Sequence, residues 1–150
     1  MKKRVGIIIL VLILLILAGG GAAFYYYYSK YINIDAIYPG MTIQGMSVGG
    51  MTQEEAKAKV QEYIDKVSQE TVTLQVKKKE STFALSDIGL KCTNMDVVEK
   101  AYDFGKTGNV FKRVIEVRKL EKEGMDFPLT FSVDKAETRK VVKKKAKKFL

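Results

Sequence analysis

The chain opens with an unbroken apolar stretch and then turns to short alternating and helical patterns that continue to its end. From Val5 to Ala23 every residue is apolar or glycine, VGIIILVLILLILAGGGAA. A run of about 20 such residues, coiled as a helix, matches the hydrocarbon thickness of a bilayer. The expected membrane span is Val5 to Phe24. Tyr25 to Tyr28 stand where an aromatic belt would meet the outer interface, because a phenol has an apolar body and a wet tip.

Beyond the span, Ser29 to Tyr38 reads as a juxtamembrane spacer, and Pro39-Gly40 as the turn that opens the folded part. Glycines at 40, 45, 49 and 50 punctuate PGMTIQGMSVGGMT and predict short extended pieces at Thr42 to Gln44 and Met46 to Val48. Thr52-Gln-Glu-Glu55 is a capping box. It predicts a helix with Ala56, Val60, Tyr63, Ile64 and Val67 on its inner face, supported by Glu55/Lys59 and Glu62/Lys66 pairs.

Val72, Leu74 and Val76 then alternate, as do Phe83 and Leu85, which predicts a β-hairpin turning through Lys77 to Glu80. Thr93 to Asp96 starts a helix with Val97, Val98, Ala101 and Tyr102 on its apolar face, ending near Gly105. A further helix is expected from about Val110 to Glu121, with Val110, Val114, Val117 and Leu120 inward. Phe127, Leu129, Phe131 and Val133 alternate strictly and predict one strand, with Pro128 placing it or its start at an edge. Asp134 and Glu137 cap a last helix, with Val142, Ala146, Phe149 and Leu150 on one side and Lys140, Lys143, Lys144, Lys147 and Lys148 mostly on the other.

This order lacks the regular alternation of a doubly wound sheet and predicts an α+β fold: an N-terminal transmembrane helix, then a small, mostly antiparallel sheet packed with about four helices. The expected division is a basic tip and signal anchor at 1–28, the spacer at 29–38 and the α+β domain at 39–150. The last helix reaches Phe149-Leu150 without a glycine cap or polar tail, so the chain reads as the front of a longer product.

Charge sharpens the topology. The formal net charge is +9, from 26 basic and 17 acidic residues. Three bases, Lys2, Lys3 and Arg4, precede the apolar run and eight follow Asp134, while Ser29 to Asp134 carries 15 bases against 16 acids. The positive charge therefore belongs to the two ends, and no nucleic-acid partner is implied. The basic tip places the N-terminus in the cytoplasm and the bulk of the chain outside. A cleaved signal peptide is the competing reading, since Ala18 to Ala23 offers small residues; the length of the apolar run favours a retained anchor. Either way the domain is exported.

Candidate chemistry is sparse. The chain has no histidine, which removes imidazole bases, His-ligated zinc and His-dependent triads from the chain acting alone. No cofactor or metal is expected. Cys92, the single cysteine, has only Lys91 nearby to lower its pKa and reads as a half-buried structural thiol. Asp87, Asp96, Asp103 and Asp126 show no paired spacing for acid and nucleophile work and read as caps and solvated groups. Gly105-Lys106-Thr107 lacks the leading glycine of a phosphate-binding loop, with Lys100 in its place, and reads as a turn between helices with Asn109 as the next cap. The lysine-rich last helix could meet anionic lipids or wall polymers, or could be a solvated face.

The segments IYPGMTIQGMSVGGMTQEEA, TLQVKKKESTFALSDIGLKC and VEKAYDFGKTGNVFKRVIEV, in this order and spacing, resemble the peptidoglycan-binding domain near the N-terminus of VanW-like proteins and of some L,D-transpeptidases of Gram-positive bacteria. The likeness covers about residues 38 to 150. It implies a cell-membrane, extracytoplasmic protein with a non-catalytic domain that binds or positions peptidoglycan or another anionic wall polymer. An alternative is the non-catalytic front part of a cross-linking transpeptidase; a purely structural spacer is a third possibility. The site residues chosen are Lys106, Asn109 and Arg113. Lys106 departs from the family, which more often carries arginine there; an arginine forked onto a carboxylate would be held more rigidly.

Overall fold

A computed structural model describes residues 2–32, 34–76 and 78–147. The expected turn residue Lys77 and the terminal residues Lys148, Phe149 and Leu150 lie outside the described residues. The first element, α1, runs from Lys2 to Tyr31. Its 30 residues extend about 45 Å, more than the hydrocarbon thickness of a bilayer. Ile7–Tyr31 contains an 18-residue stretch with a mean hydropathy of 2.9 and is long enough to cross a membrane.

The rest is an α+β fold, with its strands distributed over three small sheets among the described residues. In the first, β1 (Met41–Ile43) lies between β2 (Met46–Ser47), antiparallel, and β6 (Met125–Phe127), parallel. The hairpin of β3 (Thr71–Val76) and β4 (Lys79–Ala84) forms the second. In the third, β5 (Lys91–Cys92) pairs antiparallel with β7 (Phe131–Ser132). Around them pack α2 (Gln53–Gln69), α3 (Val97–Asp103), α4 (Val110–Glu123) and α5 (Lys135–Ala146).

The helix starts follow their caps. Thr52 accepts from the Glu55 amide at 3.2 Å, and the Glu55 carboxylate accepts from the Thr52 amide at 2.9 Å. Such a box holds two orphan donors of the first turn and contributes about 1 kcal/mol. Because Glu55 serves the cap, it is not the partner of Lys59, whose ammonium donates to the Ser47 carbonyl at 2.9 Å. That tie fastens α2 to β2. Asp134 likewise accepts from the amides of Ala136 and Glu137 at 2.7 and 2.9 Å to start α5.

One core joins the elements. Ala56, Val60 and Ile64 of α2, Val97, Val98 and Ala101 of α3, and Val117 and Leu120 of α4 close over Met41 and Ile43 of β1. Three further members, Tyr31, Ile37 and Tyr38, come from the stretch expected as a spacer. Ile37 accepts from Gly50 and donates to Met51, both at 2.8 Å, which ties that stretch to the loop after β2. Gly49 permits the approach, since a Cβ there would stand 2.9 Å from the Pro39 Cα.

Three sequence expectations change. The residues read as one strand, Phe127 to Val133, are divided between two sheets. Pro128 has no amide hydrogen, and the next two amides leave the ladder for side chains: Leu129 donates to Gln44 Oε1 at 2.8 Å and Thr130 to Asn94 Oδ1 at 2.7 Å. The hairpin turn is also tighter than expected, because Lys79 and Glu80 already pair with Val76 and Gln75. In α4, Val117 and Leu120 face inward as expected and Val114 is half-buried, but Val110 is exposed.

Candidate functional site

The three residues singled out by resemblance gather where α3 hands over to α4. The loop between these helices contains Gly105 and Gly108, both with positive φ, at +69° and +94°. At Gly105 the space is also closed: a Cβ would lie 2.9 Å from Val117 Cγ2 and 3.1 Å from the Tyr38 ring. Glycine is thus required twice over.

Asn109 is the cap of α4, its Oδ1 accepting from the Lys112 amide at 2.8 Å. Arg113, one turn into the helix, spreads its guanidinium over two backbone carbonyls. Nε donates to Gly105 at 2.8 Å and Nη2 to Ile32 at 2.7 Å. A planar fork suits two acceptors held at fixed places, and this one joins the stretch after α1 to the α3–α4 loop. Arg113 also opposes the effect of burial on Tyr38, whose hydroxyl pKa is nonetheless held above its ordinary value because desolvation dominates.

Lys106 lies differently. Its Nζ sits 3.1 Å from the centroid of the Tyr102 ring, shielded from solvent and without a hydrogen-bond partner. Desolvation holds its pKa below the ordinary value, against the opposing pull of Asp35 and Asp103. The ring thus serves as the nearest counter-group to a cation turned away from water. Tyr102 in turn donates its hydroxyl to the Asp35 carboxylate, and that bond raises the phenol pKa. Asp35, Tyr102 and Lys106 form one chain of contacts from the stretch after α1 to α3 and the loop after it.

This corner therefore brings Lys106, Asn109 and Arg113 together but occupies them within the domain. Asn109 and Arg113 hold backbone, and Lys106 covers an aromatic face. Chemistry-bearing groups elsewhere are likewise occupied. Cys92 Sγ lies 3.6 Å from Asn94 Oδ1. Asp126 accepts from Thr42 Oγ1 at 2.6 Å and from the Gly45 amide at 2.9 Å, and the Thr42 bond is the main reason its pKa is lowered. Among the described residues no group of three or more acidic, cysteine or histidine side chains is arranged to hold a metal ion.

The exposed charges of α5 are nearly all basic. Lys140, Lys143 and Lys144 are exposed, while Lys145 turns back to donate to the Thr82 carbonyl at 2.8 Å. The residues that sequence reasoning missed are Asn94 and Gln44, which hold the β6–β7 crossing, and Asp35 and Tyr102. Gln44 alone carried a local signal, as the only non-glycine with positive φ (51°) among the described residues, placed before Gly45.

Fold and site thus define a class: an α+β domain of interlocked small sheets and helices, joined at its N-terminal side to a helix apolar and long enough to cross a membrane. Within it, residues 81–150, from β4 to the end of the chain, match the model of a family described as putative peptidoglycan binding domain. The first of the three resembling segments, around β1 and β2, precedes the matched region. No curated protein and no solved structure shows significant similarity to the chain.

Proposed function

We propose that this is a membrane-anchored envelope protein of the VanW-like kind, with a cytoplasmic N-terminus and an extracytoplasmic domain that holds peptidoglycan without reacting with it. The observation that carries this reading is the match of residues 81–150 to a peptidoglycan-binding model in a chain that begins with a span-length apolar helix. The exposed lysines of α5 supply attraction to the carboxylates and phosphates of a Gram-positive wall. The corner at Lys106, Asn109 and Arg113 holds the domain in shape and to its anchor. The alternative, that the chain is the non-catalytic front of an L,D-transpeptidase, draws on the same resembling segments, which occur in both kinds of protein.

Co-sedimentation of the full chain, in mild detergent, with purified sacculi at low and high salt tests the reading. The triple variant Lys140→Gln, Lys143→Gln, Lys144→Gln is the comparison. Binding that persists at high salt supports recognition of the polymer by the folded domain. Binding lost both at high salt and in the variant reduces the interaction to screened charge attraction and removes the proposal.

A further inference from the structure

α4 has two faces that differ in what covers them. Val117 and Leu120 enter the core, whereas Phe111 is 83% exposed and Ile115 67% exposed on the opposite side of the helix. Successive residues of a helix are turned by about 100°, so Phe111 and Ile115 share a stripe, and Arg118 and Lys122 continue it at seven-residue spacing. One stripe is therefore apolar in its first half and cationic in its second.

This stripe lies beside the end of α1. Val110, Phe111, Val114 and Ile115 line an apolar groove of about 290 Å³ together with Phe24, Tyr27, Tyr28 and Ile32. The Arg118 guanidinium stands 5.9 Å from the centre of the Tyr27 ring. Arg113 reaches Ile32, and Glu121, about two turns further along α4, accepts from the Tyr31 hydroxyl at 3.4 Å. α4 thus packs against the last turns of α1, from the groove at Phe24 to the contacts at Tyr31 and Ile32. The aromatic cluster Phe24 to Tyr28 on this side is itself exposed.

We propose that the first half of α4 is a second membrane contact, with Phe111 and Ile115 seated at the boundary between acyl chains and headgroups beside α1, and Arg118 and Lys122 at the lipid phosphates. The inference rests on α1 being a membrane anchor. Given that anchor, the aromatic cluster lies at the interface, and a helix packed against it there is held beside the membrane surface. The apolar surface of α4 then continues that of α1 without a break, which commits the face to lipid. The cations occupy the place where an interfacial helix carries them, with apolar stems along the surface and charged heads at the phosphates. The domain would be held flat against the membrane and not free at the end of a stalk.

The chain contains no tryptophan, so single reporters can be read without background. Phe111→Trp, Ile115→Trp and, inside the anchor, Leu14→Trp are each introduced into the full chain. The proteins are reconstituted in phosphatidylcholine–phosphatidylglycerol vesicles containing lipids brominated near the headgroup or deep in the acyl chain. The expected result is that the deep bromines remove most Leu14→Trp emission, while the shallow bromines remove most emission from the Phe111→Trp and Ile115→Trp proteins. Quenching at position 14 with water-like, unquenched emission at 111 and 115 would overturn the proposal and leave the anchor standing. Blue-shifted but unquenched emission at 111 and 115 would assign the face to a second copy of the chain and also overturn it. No quenching at any of the three positions would remove the anchor itself.

Discussion

Tyr38, with no exposed surface, donates its hydroxyl to the carbonyl of Tyr31 at 2.7 Å. The bond closes the stretch between the end of α1 and β1 into a loop whose two ends both lie in the core. It satisfies a terminal carbonyl that the helix itself cannot use. Tyr38→Phe keeps the ring against Gly105 and deletes only this bond. The expected loss is about 1 kcal/mol, read by chemical denaturation of the full chain in detergent beside the parent.

Gly105→Ala combines two costs, a residue with a side chain at φ +69° and a Cβ 2.9 Å from Val117 Cγ2. Together these should destabilise by roughly 2–4 kcal/mol. Gly45→Ala is the control. It has a similar φ, +74°, but open space around the new methyl group, and should lose only about 1–2 kcal/mol. Equal losses in the two proteins would show that packing at Tyr38 and Val117 is unimportant.

Arg113→Lys exchanges a fork for a point charge and cannot hold the Gly105 and Ile32 carbonyls together. A loss of about 1–2 kcal/mol is expected. Limited trypsin digestion should then cut faster after Lys30, since Ile32 is no longer fastened to α4. Unchanged cleavage would mean that the ties of Tyr31, Asp35, Ile37 and Tyr38 keep the stretch in place without the fork.

Lys106→Arg should stabilise, because a guanidinium is more weakly hydrated, stacks on Tyr102 and can extend to the Asp35 carboxylate. A gain of about 0.5–1 kcal/mol follows from one partly desolvated cation–π and ion-pair contact. Thermal melts of the two proteins give the sign directly. The shift of Lys106 also gives the parent a pH dependence. Its folded pKa lies below the unfolded value of 10.5, so the unfolded chain binds more protons between the two, and stability should rise with pH through that window. Lys106→Arg should remove the rise.

Asp134 gives the same sign at the acid end. The amides of Glu137 and then Ala136 hold its pKa below the ordinary 3.8. Its contribution is complete above that value and is lost as pH falls through the folded pKa. Asp134→Asn keeps a capping oxygen and should flatten this acid limb, while Asp134→Ala should cost about 1 kcal/mol at neutral pH. An unchanged acid limb in Asp134→Asn would assign the limb to other carboxylates.

Much of the fold was legible along the chain. The apolar run, the Thr52–Glu55 box, the caps at Asn109 and Asp134 and the alternation of β3 all depend on neighbours within a few residues, and such patterns survive in one dimension. Four helices after the first apolar one, an α+β arrangement and mostly antiparallel pairing followed from them. The site was less legible. Lys106, Asn109 and Arg113 do share one corner, but nothing local announces that Arg113 is taken by a carbonyl 81 positions earlier, or that Asp35 awaits Tyr102.

By itself the sequence determined where helices begin, which faces are apolar and that the first helix is long enough to cross a bilayer, because caps and periodicity act over a single turn. Only the tertiary structure decided that residues 125–132 are divided between two sheets, that Tyr31, Ile37 and Tyr38 belong to the core, and that α4 packs against the aromatic end of α1. Each of these is set by the meeting of groups far apart in the chain, Gln44 and Asn94 with Leu129 and Thr130, Tyr38 with Gly105, Arg113 with Ile32. Their cost and gain exist only once the elements are packed.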